Sequence, residues 1–239
     1  MTENSNSYID LSPGTGKTVT IVEAIRQVLS HNPGAKILAC APSNSAADLI
    51  ASRLRTGLSP QELFRFYAPS RHKKNLPDEL RSYTYIDGNG HFALPPPGRV
   101  RMNSFRVIVT TCISASIAHG IGMKRGAFTH IFIDEAGQAT EPEALVSIKT
   151  MADTKTNVIL SGDPKQLGPI IRSGIAVELG LEQSYLERLM NREAYDLKTG
   201  YGKRYANKSC YFNHHLKSFQ CCEIDQEFPI SQCNPQIPE

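Results

Sequence analysis

The chain has 239 residues, 40% of them hydrophobic and 21% charged, enough for one large domain with its own core. Its 26 Lys and Arg against 23 Asp and Glu leave a formal charge of +3, too small a balance to identify a nucleic-acid partner by itself. No run approaches the roughly 20 apolar residues of a membrane span, and the polar opening MTENSNSYID lacks a secretory pattern, so a cytoplasmic protein with no membrane partner is expected.

Residues 1–10 read as an irregular N-terminus with little room for a strand. The stretch LSPGTGKT follows at 11–18. Its later letters suit a phosphate-cradling loop, because glycines let successive backbone N–H groups converge on a phosphate at a helix N-terminus. Leu11 stands where such a loop ordinarily has glycine. VTIVEAIRQVLS (19–30) has apolar residues at helical spacing and stops before HNPG. The short apolar run AKILACA leads into PSNSAADLIASRL, a helix that Asn44 or Ser45 is placed to cap. Residues 56–105 read as an irregular insertion carrying the basic run Arg71-His72-Lys73-Lys74, which is either a phosphate contact or a solvated loop. RVIVTT (106–111), HIFID (130–134) and NVILSG (157–162) are strand-like, each followed by residues able to start a helix.

Apolar strands alternating with helices predict an α/β fold, a mostly parallel sheet covered on both faces. Ligands bind such sheets at the carboxyl ends of the strands. Those ends carry PSN, TT, DEAG and GDPKQ here. Adjacent acids or a polar turn after a strand are unremarkable singly. Three such elements in this order, all on one edge, point to a nucleotide triphosphate site. In that reading Lys17 bridges the phosphates, Thr18 gives a hydroxyl to Mg²⁺ and Asp134 holds the metal through water. Glu135 deprotonates the attacking water, and Gln166 senses the γ-phosphate.

PGTGKT, APSNSAADLI, VIVTTCISA, FIDEAGQATEPEAL, LSGDPKQLGPII and GLEQSYLERLM resemble the superfamily 1 RNA helicases of the Upf-one-like group, nearest the Armitage and Moloney leukaemia virus 10 branch. The resemblance implies a P-loop NTPase, RecA-like domain over 11–195, with its leading strand curtailed and a gap expected in mid-sheet. It implies ATP and Mg²⁺ as cofactors, with Pro13, Gly14, Thr15, Gly16, Lys17 and Thr18 at the phosphates and Glu135, Asp134, Gln166 and Lys17 in catalysis. It also implies a monomer that binds single-stranded RNA through Pro42, Ser43, Asn44, Thr110 and Thr111, with RNA-silencing or RNA-decay proteins as partners. Helix capping is the competing role for Ser43 and Asn44. The motifs cover the first of two motor domains, which leads us to expect a truncated product with little turnover alone. A non-catalytic RNA-binding fragment and a DNA helicase fragment remain alternatives. Residues 196–239 show no sustained period and read as an irregular or disordered tail. Its Cys210, His214, His215, Cys221 and Cys222 fit no standard zinc spacing.

Overall fold

The computed structural model describes residues 16–95, 104–163 and 166–192, together with the backbone of 7–10. Six strands form one sheet: β1 (Ser7–Asp10), β2 (Ile37–Ala41), β3 (Leu63–Arg65), β4 (Val107–Thr111), β5 (His130–Ile133) and β6 (Asn157–Gly162). Their spatial order is β1-β6-β5-β2-β4-β3, and every neighbouring pair is parallel. Parallel neighbours require crossovers. The helices α1 (Lys17–His31), α2 (Asn44–Leu54), α3 (Ser116–Gly120) and α4 (Glu141–Met151) supply most of them, followed by α5 (Gly174–Glu178) and α6 (Tyr185–Met190).

The strands are apolar throughout because both sheet faces are covered, with alternate residues entering different cores. In β2, Ile37, Ala39 and Ala41 join a cluster with Ile21 and Ile25 of α1 and Ile50 and Leu54 of α2. Leu38 and Cys40 turn to the other side, where Ala144 and Met151 of α4 and Leu186 and Leu189 of α6 pack. All five β2 residues are buried. This is the doubly covered α/β architecture of a RecA-like P-loop domain.

Two expectations about the sheet need correction. Residues 1–10 are not irregular throughout, since Ser7–Asp10 pairs with Ile159–Gly162 of β6. Among the described residues no gap opens in mid-sheet either. Their strand order puts β1 at one edge, paired there with β6, so its shortness costs edge pairing and leaves the centre intact. The 56–105 segment is likewise more ordered than expected: it contributes β3, which pairs with β4 from Leu63↔Val107 to Arg65↔Val109, and two short 3₁₀ turns at Lys73–Asn75 and Asp78–Tyr83. Residues 196–239, with the candidate zinc ligands, lie outside the described residues.

Candidate nucleotide and nucleic-acid site

Helix α1 begins without a side-chain cap. Its N-cap is Gly16, at φ 84° in the left-handed region where a side chain is strained, and the first turn holds no acidic residue. Such a terminus offers N–H groups and a partial positive charge to an anion. Leu11, Pro13, Gly14 and Thr15 lie outside the described residues. Lys17 follows at once, only 7% exposed, and its Nζ stands 4.0 Å from Asp163 Oδ2.

At the carboxyl end of β5, Asp134 is buried and Glu135 half-buried. Asp134 Oδ1 accepts the Glu135 N–H at 3.0 Å. The Thr18 and Ser161 hydroxyls and the Lys17 ammonium lie near its carboxyl and favour the charged form, but burial outweighs them and holds the carboxyl above its ordinary range. Among the described residues, Asp134 Oδ2 is buried with no partner in hydrogen-bond geometry, as is Ser161 Oγ. A buried carboxylate oxygen left in this state is costly unless a cation or water meets it. The donor set of one carboxylate and one hydroxyl beside a lysine suits Mg²⁺, a hard cation that keeps several waters.

Glu135 is, among the described residues, the one non-glycine residue with positive φ, at 53°. That conformation costs on the order of 1 kcal/mol or more and turns the chain sharply after the strand. Burial, then the charges of Asp134 and Asp163, push the Glu135 carboxyl upward, while Lys17 opposes them. A raised carboxyl suits proton acceptance from water. Gln138 Nε2 donates to Glu135 Oε2 at 3.1 Å and holds it on the far side.

At the end of β6, Asp163 links the parts. Its Oδ2 accepts from Gln166 Nε2 at 3.1 Å and faces Lys17. Lys17, Thr18, Asp134, Glu135, Asp163 and Gln166 therefore gather at one edge of the sheet. Asp163 was not among the residues singled out as catalytic from sequence, although it follows a strand end just as Asp134 does. Two glycines were also passed over. A Cβ on Gly162 would meet the Gly137 nitrogen at 2.7 Å, and one on Gly137 would meet the Asp163 carbonyl oxygen at 2.8 Å. The Ala136 N–H donates to Ser161 O at 2.7 Å across the same seam. Their signal was the glycine in each of DEAG and SGD.

Farther along the edge lie the expected RNA contacts. Ser43 caps α2, accepting the Ala46 N–H at 3.1 Å, in place of the Asn44 or Ser45 cap expected from sequence. It is exposed, while Pro42 and Asn44 are half-buried. Thr111 is half-buried and donates to Ser114 Oγ at 2.9 Å. Thr110 is 1% exposed, and its Oγ1 is buried with no hydrogen-bond partner among the described residues. The basic run divides as well. Arg71 turns inward and donates to Asp48 Oδ2 at 2.9 Å, whereas His72, Lys73 and Lys74 are exposed.

Residues 1–87 and 99–174 match the AAA domain family. The chain is 46% identical over 185 residues to human "RNA helicase Mov10l1", covering 77% of this chain and 14% of that protein. It is 43% identical over 201 residues to zebrafish "Putative helicase mov-10-B.1", covering 82% of this chain and 20% of that protein. It is 36% identical over 199 residues to Drosophila melanogaster "Probable RNA helicase armi", covering 77% and 17%. The chain thus spans a fifth or less of the length of these relatives. With a parallel α/β sheet and a lysine, two adjacent acids and a glutamine gathered at its carboxyl edge, the chain belongs to the AAA domain family, in the Mov10 and Armitage branch of superfamily 1 RNA helicases.

Proposed function

We propose that this chain is an RNA-helicase motor domain that binds ATP with Mg²⁺ and single-stranded RNA, with ATP hydrolysis coupled to RNA unwinding in a full-length protein that includes a second motor domain. The observation that carries the reading is the unpartnered Oδ2 of buried Asp134 beside Thr18, with Lys17 and Glu135 at the same sheet edge. Lys17 and the amide-rich start of α1 hold the triphosphate. Thr18 and Asp134 hold Mg²⁺, which neutralises charge developing on the phosphoryl oxygens when bound. Glu135 takes the proton of the attacking water, kept receptive by burial and by its acidic neighbours. Gln166, tied to Asp163, stands where loss of a γ-phosphate alters its surroundings.

Ser43, Asn44, Thr110 and Thr111 carry short polar groups along the same edge, beside Pro42, suited to phosphates at close approach without reading bases. Work in the cytoplasm with RNA-silencing or RNA-decay proteins belongs to this proposal. Binding of a fluorescent ATP analogue tests the site. Lys17→Ala abolishes binding, whereas Glu135→Gln keeps it and lowers turnover by about 10² to 10⁴. Unchanged affinity in Lys17→Ala refutes the assignment. RNA-stimulated against DNA-stimulated turnover decides the polymer.

A further inference from the structure

Arg65, in edge strand β3, is 0% exposed, and its guanidinium lies beneath the first turn of α2. An arginine buried so completely is rare unless paired. Here Nε donates to Asp48 Oδ1 at 2.8 Å, and Nη1 donates to the Phe66 carbonyl at 2.6 Å and the Val109 carbonyl at 3.4 Å. Asp48 is held from two further directions, by Tyr67 OH at 2.8 Å and Arg71 Nη2 at 2.9 Å. Both guanidiniums lie over the Tyr67 ring, at 4.0 and 4.6 Å from its centroid. Burial pulls Arg65 below its ordinary basicity, and Asp48 and Tyr67 oppose that.

One arm of Arg65 is not needed for Asp48. Nη2 reaches the Asn44 side chain, donating to Oδ1 at 3.0 Å, with the Asn44 carbonyl at 3.4 Å. A guanidinium only donates, so the amide of Asn44 must present its oxygen inward. The flip is thereby fixed, and the NH₂ group is left for the outer side of a half-buried residue. An NH₂ group is the end that serves a phosphate oxygen; the carbonyl end repels it.

We propose that Arg65 is a positioning residue for RNA binding, a buried cation that locks the Asn44 amide with its donors toward the strand's phosphates. The proposal rests on the reading of Pro42–Asn44 as an RNA contact. It assigns a role to a side chain that touches no ligand, and it explains why a charged residue stands inside β3 when an apolar one would fill the space.

The test measures binding of a labelled oligouridine and of a fluorescent ATP analogue to the full chain at one fixed salt concentration, because phosphate contacts are salt-dependent. Lys at position 65 keeps the charge and cannot reach Asp48 and Asn44 together. Expected are about a tenfold loss of oligouridine affinity in Arg65→Lys, a similar loss in Asn44→Ala, and no further loss when the two are combined. ATP-analogue affinity stays at the wild-type value in all three, which general destabilisation would not allow. Wild-type oligouridine affinity in folded Arg65→Lys, or losses that add in the double variant, overturns the proposal. An Asn44→Ala variant with unchanged affinity instead sinks the RNA reading of the loop, and the proposal with it. If Arg65→Lys fails to melt cooperatively, Arg65→Met with Asp48→Leu replaces the buried pair by apolar groups, and the same comparison with Asn44→Ala decides.

Discussion

Two buried aspartates in this fold have opposite surroundings. Asp48, under α2, accepts from Arg65, Tyr67 and Arg71, so both of its carboxylate oxygens are occupied. Asp134, at the end of β5, has one oxygen on the Glu135 N–H and the other with no partner among the described residues. Burial alone does not distinguish them, since Asp48 is 8% and Asp134 1% exposed. What distinguishes them is completion. A finished polar network holds a fold together, and an unfinished one in a cleft awaits something from outside.

Removing each carboxylate should therefore move stability in opposite directions. Asp48→Ala leaves two guanidiniums facing a void and should cost about 3 to 5 kcal/mol in denaturant unfolding, the usual penalty for breaking one side of a buried ion pair. A loss below about 1 kcal/mol would dissolve the contrast.

His130 probes the burial of a titratable ring with a polar neighbour at each nitrogen, Thr129 Oγ1 and Asn157 Nδ2. It lies at the start of β5 with Nδ1 2.9 Å from Thr129 Oγ1, and burial lowers its pKa to about 4. The unfolded chain takes up this proton near pH 6.5 and the folded chain only near 4, so acidification through that window favours unfolding. His130→Asn should remove on the order of 2 kcal/mol of this pH dependence and leave stability above pH 7 little changed. Melting curves from pH 7.5 to 4.5 supply the check.

The smallest expected effect has the reverse sign. Asp134→Asn keeps an acceptor for the Glu135 N–H and removes a charge that burial disfavours, so it should stabilise the ligand-free chain by about 1 kcal/mol. Because the folded-state pKa is raised, the wild-type cost is fully present above that pKa and vanishes as pH falls below the unfolded value. The gain should accordingly appear near neutral pH and disappear in acid. A destabilised Asp134→Asn would mean that Asp134 is structural, like Asp48.

The candidate nucleotide edge was legible because its chemistry is local in sequence. Lys17, Asp134, Glu135 and Gln166 each follow a recognisable strand or glycine turn, and parallel topology brings such ends together. Sheet order was not legible, since the brevity of Ser7–Asp10 does not say whether a strand is central or at an edge. Arg65 was hidden for a related reason. Residues 56–105 read as an irregular insertion, and only the packing of α2 over β3 shows that Arg65 stands in a strand with its charge facing inward. Thr110 and Thr111 are neighbours in sequence, but strand alternation sends them to different environments. The position of the α2 cap, one residue before Asn44, fell within the ordinary uncertainty of helix ends.

The close approach of Gly137 to Gly162 and Asp163 has a mechanical consequence. Among the described residues, main chain meets main chain where Ala136 and Gly137 approach Ser161–Asp163, with the Leu186 side chain against Gly162. Any side chain added at Gly137 or Gly162 would have to push these two backbones apart, so the spacing between the turn after β5 and the turn after β6 is set by the absence of two Cβ atoms.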